Sequence, residues 1–229
     1  MSATSPHIGV LGEGPLHASL KRWCAQPGDR EEVAVDGYVI DLVRDGLLIE
    51  IQTRGFASIK RKVAGLLDAG YRIRIVHPIA IDRTIVKLAH DGEVLDRRLS
   101  PKHGCAIDLC AELVSFPELL DEPGLEIEVA LTREEEFRRH EDGRAWRRRG
   151  WVVVERHLVD VVDTMLIDSS ECLLGLLPAQ LQEKFTTSDL ADGLQCTNRL
   201  AQQLAYCLRK GGAIDVVGKR GRSIEYRVG

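Results

Sequence analysis

Apolar runs in the first quarter of the chain are short and punctuated by aspartate-glycine pairs. Residues 38–44 and 47–51 flank Asp45-Gly46, and residues 31–35 and 38–41 flank Asp36-Gly37. An Asp-Gly pair between two such runs predicts a two-residue type I′ hairpin, so a three-stranded antiparallel meander is expected. Ile40, Leu42, Ile49 and Ile51 share one face of it, and apolar residues occupy much of the other. Strands apolar on both faces are covered on both faces, which predicts the centre of a layered α/β domain.

Counting outward from the second turn puts Arg44 opposite Leu47, Val43 opposite Leu48, Leu42 opposite Ile49 and Asp41 opposite Glu50. Directly opposed residues have Cβ atoms roughly 4.5–5.5 Å apart. The first turn brings Glu32 opposite Asp41, so Glu32, Asp41 and Glu50 are expected in one row unless a bulge breaks it. Gln52 follows on the same face. Strand carboxylates are often solvent-facing, but Asp41 and Glu50 interrupt runs of Val, Ile and Leu, where unpaired charge is expensive. Opposed like charges need a cation or a shared proton, and a divalent metal is the compensation with chemical use.

An acidic residue on the second strand, followed on the third by Glu50-Ile51-Gln52, resembles the PD-(D/E)XK nuclease superfamily over roughly residues 10–80. The resemblance implies a restriction-endonuclease-like αβββαβ core with a mixed central sheet, a helix near 58–68 and a strand at 72–76. It implies that Asp41, Glu50 and the Ile51 carbonyl hold Mg²⁺ or Mn²⁺ for phosphodiester hydrolysis. Gln52 stands where the superfamily usually has Lys, and Lys60 on the following helix is a candidate substitute. The acidic residue that many members carry on the first helix matches Glu13, with Glu32 as its rival. Arg54 and the run Lys60-Arg61-Lys62 would meet backbone phosphates.

The end of the chain has another pattern. Thr186 to Asp189 reads as a capped helix start, and a longer helix over 197–210 is ended by Gly211-Gly212. Strands at 213–217 and 223–228 then flank a glycine-punctuated basic tip. Helix, turn, helix and basic hairpin in that order resemble a winged helix-turn-helix domain. Leu200, Leu204, Cys207 and Leu208 form the apolar stripe of the longer helix, leaving Asn198, Arg199, Gln202, Tyr206 and Arg209 outward, with Lys219, Arg220 and Arg222 at the wing. These residue types suit phosphate and base-edge contact. Two units are expected, a nuclease-like domain over 1–150 and a small winged-helix domain over 151–229.

The middle is less legible. A hairpin is expected at 85–96 and a half-buried strand at 125–131. The charge-dense stretch 132–150 reads as a linker or as a basic ridge, with Trp146 and Trp151 among its arginines. His17, His77, His90, His103, His140 and His157 show no ligand or dyad spacing and read as surface or packed residues.

Composition narrows the rest. The net charge of −4 excludes a uniformly basic nucleic-acid binder, so contact with DNA must rest on local patches. No run of apolar residues is long enough to cross a membrane, no signal peptide is read near the start, and six cysteines without a CxxC pair argue for reduced thiols in a cytoplasm. The expected function is a cytoplasmic Mg²⁺-dependent nuclease whose C-terminal unit holds duplex DNA, in repair, restriction or defence, with a homodimer left open. The alternative is a DNA-binding regulator or adaptor on a nuclease fold that has lost catalysis, and RNA is not distinguished from DNA as substrate.

Overall fold

The computed structural model describes residues 14–229. After α1 (Pro15–Cys24), strands β1 (Arg30–Val35), β2 (Tyr38–Arg44) and β3 (Leu47–Ile51) form the expected meander. Both turns put two residues at positive φ, 47° and 82° at Asp36-Gly37 and 49° and 81° at Asp45-Gly46, the type I′ geometry that matches strand twist. Val35 pairs with Tyr38, and Arg44, Val43 and Leu42 pair with Leu47, Leu48 and Ile49.

Helix α2 (Lys60–Asp68) then carries the chain to β4 (Arg72–Leu88), which runs parallel to β3. The distal part of β4 turns back into β5 (Val94–Leu99). After α3 (Cys110–Leu113) comes β6 (Leu125–His140), parallel to β4 along nearly its whole length, and then β7 (Trp151–Ile167), antiparallel to β6. The result is a seven-stranded mixed sheet in the order β1-β2-β3-β4-β6-β7, with β5 on the side of β4. An α/β architecture is therefore present as expected.

Each face of the sheet carries its own cluster. Leu16, Leu20 and Cys24 of α1 pack on Leu42, Ile49, Ile51 and Val76. On the other face Val63 and Leu66 of α2 meet Leu48, Ile73 and Ile75, and Phe56 stacks on Phe116 at 5.3 Å.

The chain ends in α4 (Ser170–Leu174), β8 (Lys184–Phe185), α5 (Thr187–Gly193), α6 (Asn198–Lys210), β9 (Ile214–Arg220) and β10 (Ser223–Val228), the strands forming a small antiparallel sheet ordered β8-β10-β9. Thr186 and Asp189 close a reciprocal cap on α5, and the Thr197 hydroxyl accepts the Leu200 N–H at 3.2 Å to start α6. Leu200, Leu204, Cys207 and Leu208 are buried in the same core as Phe56 and Phe116. This C-terminal unit is thus seated on the sheet's helical layer through α6 and shares its core. No described helix is long and apolar enough to cross a membrane.

Two expectations about the middle need correction. A unit boundary at 150/151 falls inside the large sheet, because β7 is its edge strand; the change of architecture comes after Ile167. The charge-dense stretch is not a linker over its first half, since residues 132–140 continue β6. Charge is tolerated there because it is paired across strands. Glu134, 3% exposed, takes two N–H bonds from Arg83 of β4 and one from the Thr132 hydroxyl. Glu136, 1% exposed, accepts two N–H bonds from Arg138 and one from Arg156 of β7.

That network sets an acid response. Burial alone would raise the Glu136 carboxyl, but Arg138, Arg156 and Arg83 outweigh it and hold its pKa below the usual value. A depressed folded-state pKa gives stability that is present above the unfolded value of about 4.3 and is lost as pH falls through the folded one. Glu136→Gln is expected to cost about 3 kcal/mol at neutral pH, the low end for breaking a buried ion pair because its arginines are partly solvated. Thermal melts across pH should show the gap between variant and wild type closing as the solution is acidified below about pH 4.

Candidate active site

The β2–β3 ladder stops at Leu42 and Ile49. On its other edge β3 stays paired with β4, where the Gln52 N–H donates to the Val76 carbonyl at 2.9 Å. Peptide groups alternate in direction along a strand, so the Ile51 N–H and C=O face the β2 side, where no strand partner continues. The Asp41 carboxylate fills that gap by accepting the Ile51 N–H at 2.8 Å.

Helices from both layers reach this splayed end. His17 Nε2 of α1 lies 3.3 Å from the same Asp41 oxygen. From α2, Lys62 Nζ donates to Glu50 Oε2 and to the Val39 carbonyl, both at 2.7 Å. Asp41 and Glu50 respond oppositely to this setting. Burial raises the Asp41 carboxyl, but His17, the Ile51 N–H and Lys62 together overcome it and hold its pKa below the usual range. Burial and then the neighbouring Asp41 charge push the Glu50 carboxyl up, against the pull of Lys62. Asp41 is thus the stronger acid of the pair, because it collects the donors, and Glu50 the weaker, because it is buried beside that charge.

Both carboxylates line a cavity of about 1020 Å³ formed by α1, the meander, the loop after β3 and the start of β7. Arg54 borders it, as does Arg156, whose Nε is fixed 3.1 Å from the buried Glu136. Mg²⁺ takes one or two carboxylates and keeps several waters. Asp41, Glu50 and a carbonyl at Ile51 directed to the same side fit that donor set, although among the described residues no group of three or more His, Cys, Asp or Glu side chains is gathered for a metal.

Other expected site residues lie elsewhere. Glu32 does not complete a row of three acids: its backbone is left-handed, at φ 51°, and its side chain turns to Lys21 Nζ at 3.1 Å, though it still borders the cavity. Glu13 lies outside the described residues. Lys60 is held by the Ser115 carbonyl and Glu118 at 3.1 and 2.8 Å, so Lys62 is the lysine at the carboxylates. The Gln52 amide donates to the Gly55 carbonyl and the Ser58 hydroxyl. Pro78 has no N–H to continue the parallel ladder, and His77 Nδ1 lies 2.6 Å from the Gln52 carbonyl oxygen in its place. His17 and Arg156 were not singled out as site residues in the sequence, and Lys62 was expected only within a run meeting phosphates; contacts between distant elements place all three.

In the C-terminal unit Asn198, Arg199, Gln202, Tyr206 and Arg209 are all exposed on one side of α6, as the apolar stripe requires. Lys219 and Arg222 are exposed at the hairpin tip. Arg220 is exposed beside them but engaged. It pairs with Asp189 and Glu225, each at 2.9 Å, and donates to the Lys184 carbonyl, tying the hairpin to α5 and β8.

Residues 14–168 match the family described as Domain of unknown function (DUF8091), a span that ends where β7 ends. A protein of Treponema pallidum (strain Nichols), named there "Uncharacterized protein", is 29% identical over 224 residues, covering 96% of this chain and 87% of its own. No solved structure matches.

Proposed function

The chain belongs to the DUF8091 family, and from the chemistry of its cavity we propose that it is a metal-dependent nuclease of the PD-(D/E)XK kind, acting on DNA. The observation that carries this reading is the meeting of Asp41 and Glu50 at the wall of an open cavity where β2 and β3 part, with Lys62 bonded to Glu50 from α2. Asp41, Glu50 and the Ile51 carbonyl would hold Mg²⁺ or Mn²⁺, and when bound such an ion supplies positive charge at the phosphate and makes a water nucleophilic at neutral pH. Lys62 replaces the missing lysine of the motif from the following helix. Its ammonium meets the charge that builds on the phosphate oxygens, which the Gln52 dipole cannot do with equal strength. Arg156 and Arg54 bind the flanking phosphates, and the anchoring of Arg156 Nε on Glu136 keeps its guanidinium oriented. The C-terminal unit acts as a winged helix, with the exposed side of α6 and Lys219 and Arg222 holding a duplex.

Nicking of supercoiled plasmid with Mg²⁺, Mn²⁺ or EDTA tests the proposal. Lys62→Ala should lower kcat by about 10²–10³-fold, the range for removing one preorganised charge-stabilising donor. Lys60→Ala should stay within about threefold of wild type, since it breaks a half-exposed pair with Glu118 and a bond to the Ser115 carbonyl, both away from the carboxylates. Equal losses in the two variants would remove Lys62 from the site. One observation favours a second reading, a DNA-binding regulator on an inactive nuclease scaffold: the Gln52 amide is spent on Gly55 and Ser58. Duplex binding without cleavage under any metal, together with no calorimetric Mn²⁺ binding, would select it.

A further inference from the structure

The β6–β7 hairpin ends in a closed loop whose basic and aromatic residues take no part in the site above. Glu141 N–H donates to the Gly150 carbonyl at 2.9 Å, Arg148 N–H to Ala145 at 2.7 Å and Arg149 N–H to Trp146 at 3.1 Å. Ala145 and Arg149 are both left-handed, at φ 47° and 51°, a conformation that non-glycine residues avoid unless the surrounding bonds impose it. This geometry displays Trp146, Arg147, Arg148 and Arg149 together. Trp146 is 79% exposed, and the Arg147 guanidinium lies 5.0 Å from its ring centroid. Arg147, Arg148 and Arg149 are exposed and, among the described residues, have no ion pair, whereas the neighbouring Arg144 is neutralised by Glu141 at 2.8 Å.

A run of arginines alone is an ordinary solvated surface. A tryptophan left in water in the middle of one, on a loop closed by its own hydrogen bonds, is not, because its apolar ring loses the burial that usually holds it. The ligand that satisfies both features offers a flat face for the indole and negative charge every few ångströms for the guanidinium groups. That is unpaired nucleic acid, since a duplex keeps its base faces stacked inside. The location agrees. Val153, which lines the cavity, is three residues beyond Gly150 on β7, about 10 Å at strand rise.

We propose that this tip grips a single-stranded segment of nucleic acid beside the cavity, with a base stacked on Trp146 and its flanking phosphates on Arg147, Arg148 and Arg149. The direction of the strand, into the cavity, rests on the nuclease reading; the binding itself does not. The test is fluorescence anisotropy of a labelled oligothymidylate with the full chain in EDTA, across a salt series, beside plasmid cleavage by the same proteins in Mn²⁺. Trp146→Ala should weaken single-strand binding about tenfold, the scale of one lost base stack, with Trp146→Phe retaining part of it. Replacing all three arginines by alanine should reduce the slope of log affinity against log salt by about 2. Unchanged affinity and slope in these exposed-loop variants would overturn the proposal. So would binding of wild type to phosphatidylserine vesicles through Trp146 with none to the oligonucleotide. Binding lost in the tip variants while wild type cuts nothing would retain the tip and sink the nuclease reading. Cleavage that needs Glu50, with tip variants binding as wild type, would do the reverse.

Discussion

Glu50→Gln should abolish metal-dependent cleavage, by at least about 10³-fold, in a protein that still folds and still binds DNA. The substitution is nearly isosteric, so the packing around β3 is kept. It removes two opposing terms together, the repulsion between Glu50 and Asp41 and the attraction of Lys62, so stability should move little. What it takes away is one of the two carboxylates at the cavity, and with it calorimetric Mn²⁺ binding. Burial and the Asp41 charge hold the Glu50 pKa above its ordinary value, and a ligand must be deprotonated to bind a cation. Wild-type Mn²⁺ affinity should therefore begin to fall, on acidification, at a pH above the usual carboxylate range. Cleavage by Glu50→Gln at the wild-type rate would place the chemistry somewhere other than this cavity.

The residues of that site were unequally legible. Asp41 and Glu50 could be brought together from sequence because the Asp45-Gly46 turn determines register by local chemistry, and the pairing of Leu42 with Ile49 is the register it dictates. Lys62 could not be chosen over Lys60, because the choice depends on the phase at which α2 leaves the 3₁₀ turn of residues 56–58. That phase points Val63 and Leu66 to the core, Lys62 to Glu50 and Lys60 to Glu118. Glu32 keeps the register the first turn dictates, opposite Asp41 between the pairs Glu31–Leu42 and Val33–Ile40, but a left-handed torsion that no local signal announces goes with a side chain turned to Lys21. The stretch around Glu134-Glu135-Glu136 reads as a linker or a basic ridge because its partners, Arg83 and Arg156, stand 51 and 20 residues away from the glutamates they hold. Local signals carried α5 and α6, whose threonine caps and apolar stripe are written within a few residues. They could not show that the stripe would be buried in the core of the larger sheet.

That shared core leads to the largest expected effect on stability. Leu204 is fully buried on α6, in a cluster that also holds Cys110, Leu113 and Phe116 from beside the large sheet. Leu204→Ala should cost about 3–4 kcal/mol, from lost transfer free energy and the cavity left behind, lowering the melting midpoint by roughly 6–16 °C in a chain of this size. The three tryptophans, Trp23, Trp146 and Trp151, all precede Ile167 and so report on the large sheet alone. If the two units unfold as one, Trp fluorescence and far-UV circular dichroism should shift together in Leu204→Ala, although the substitution is on α6. An unshifted fluorescence transition beside a shifted fraction of the dichroism would mean that the C-terminal unit melts by itself. In that case α6 is a docked module with a separable fold, and the cavity's geometry does not depend on it. A common shift would instead couple the two surfaces proposed to hold DNA, because any strain that binding places on α6 is then felt by α3 and by the layer that carries Lys62.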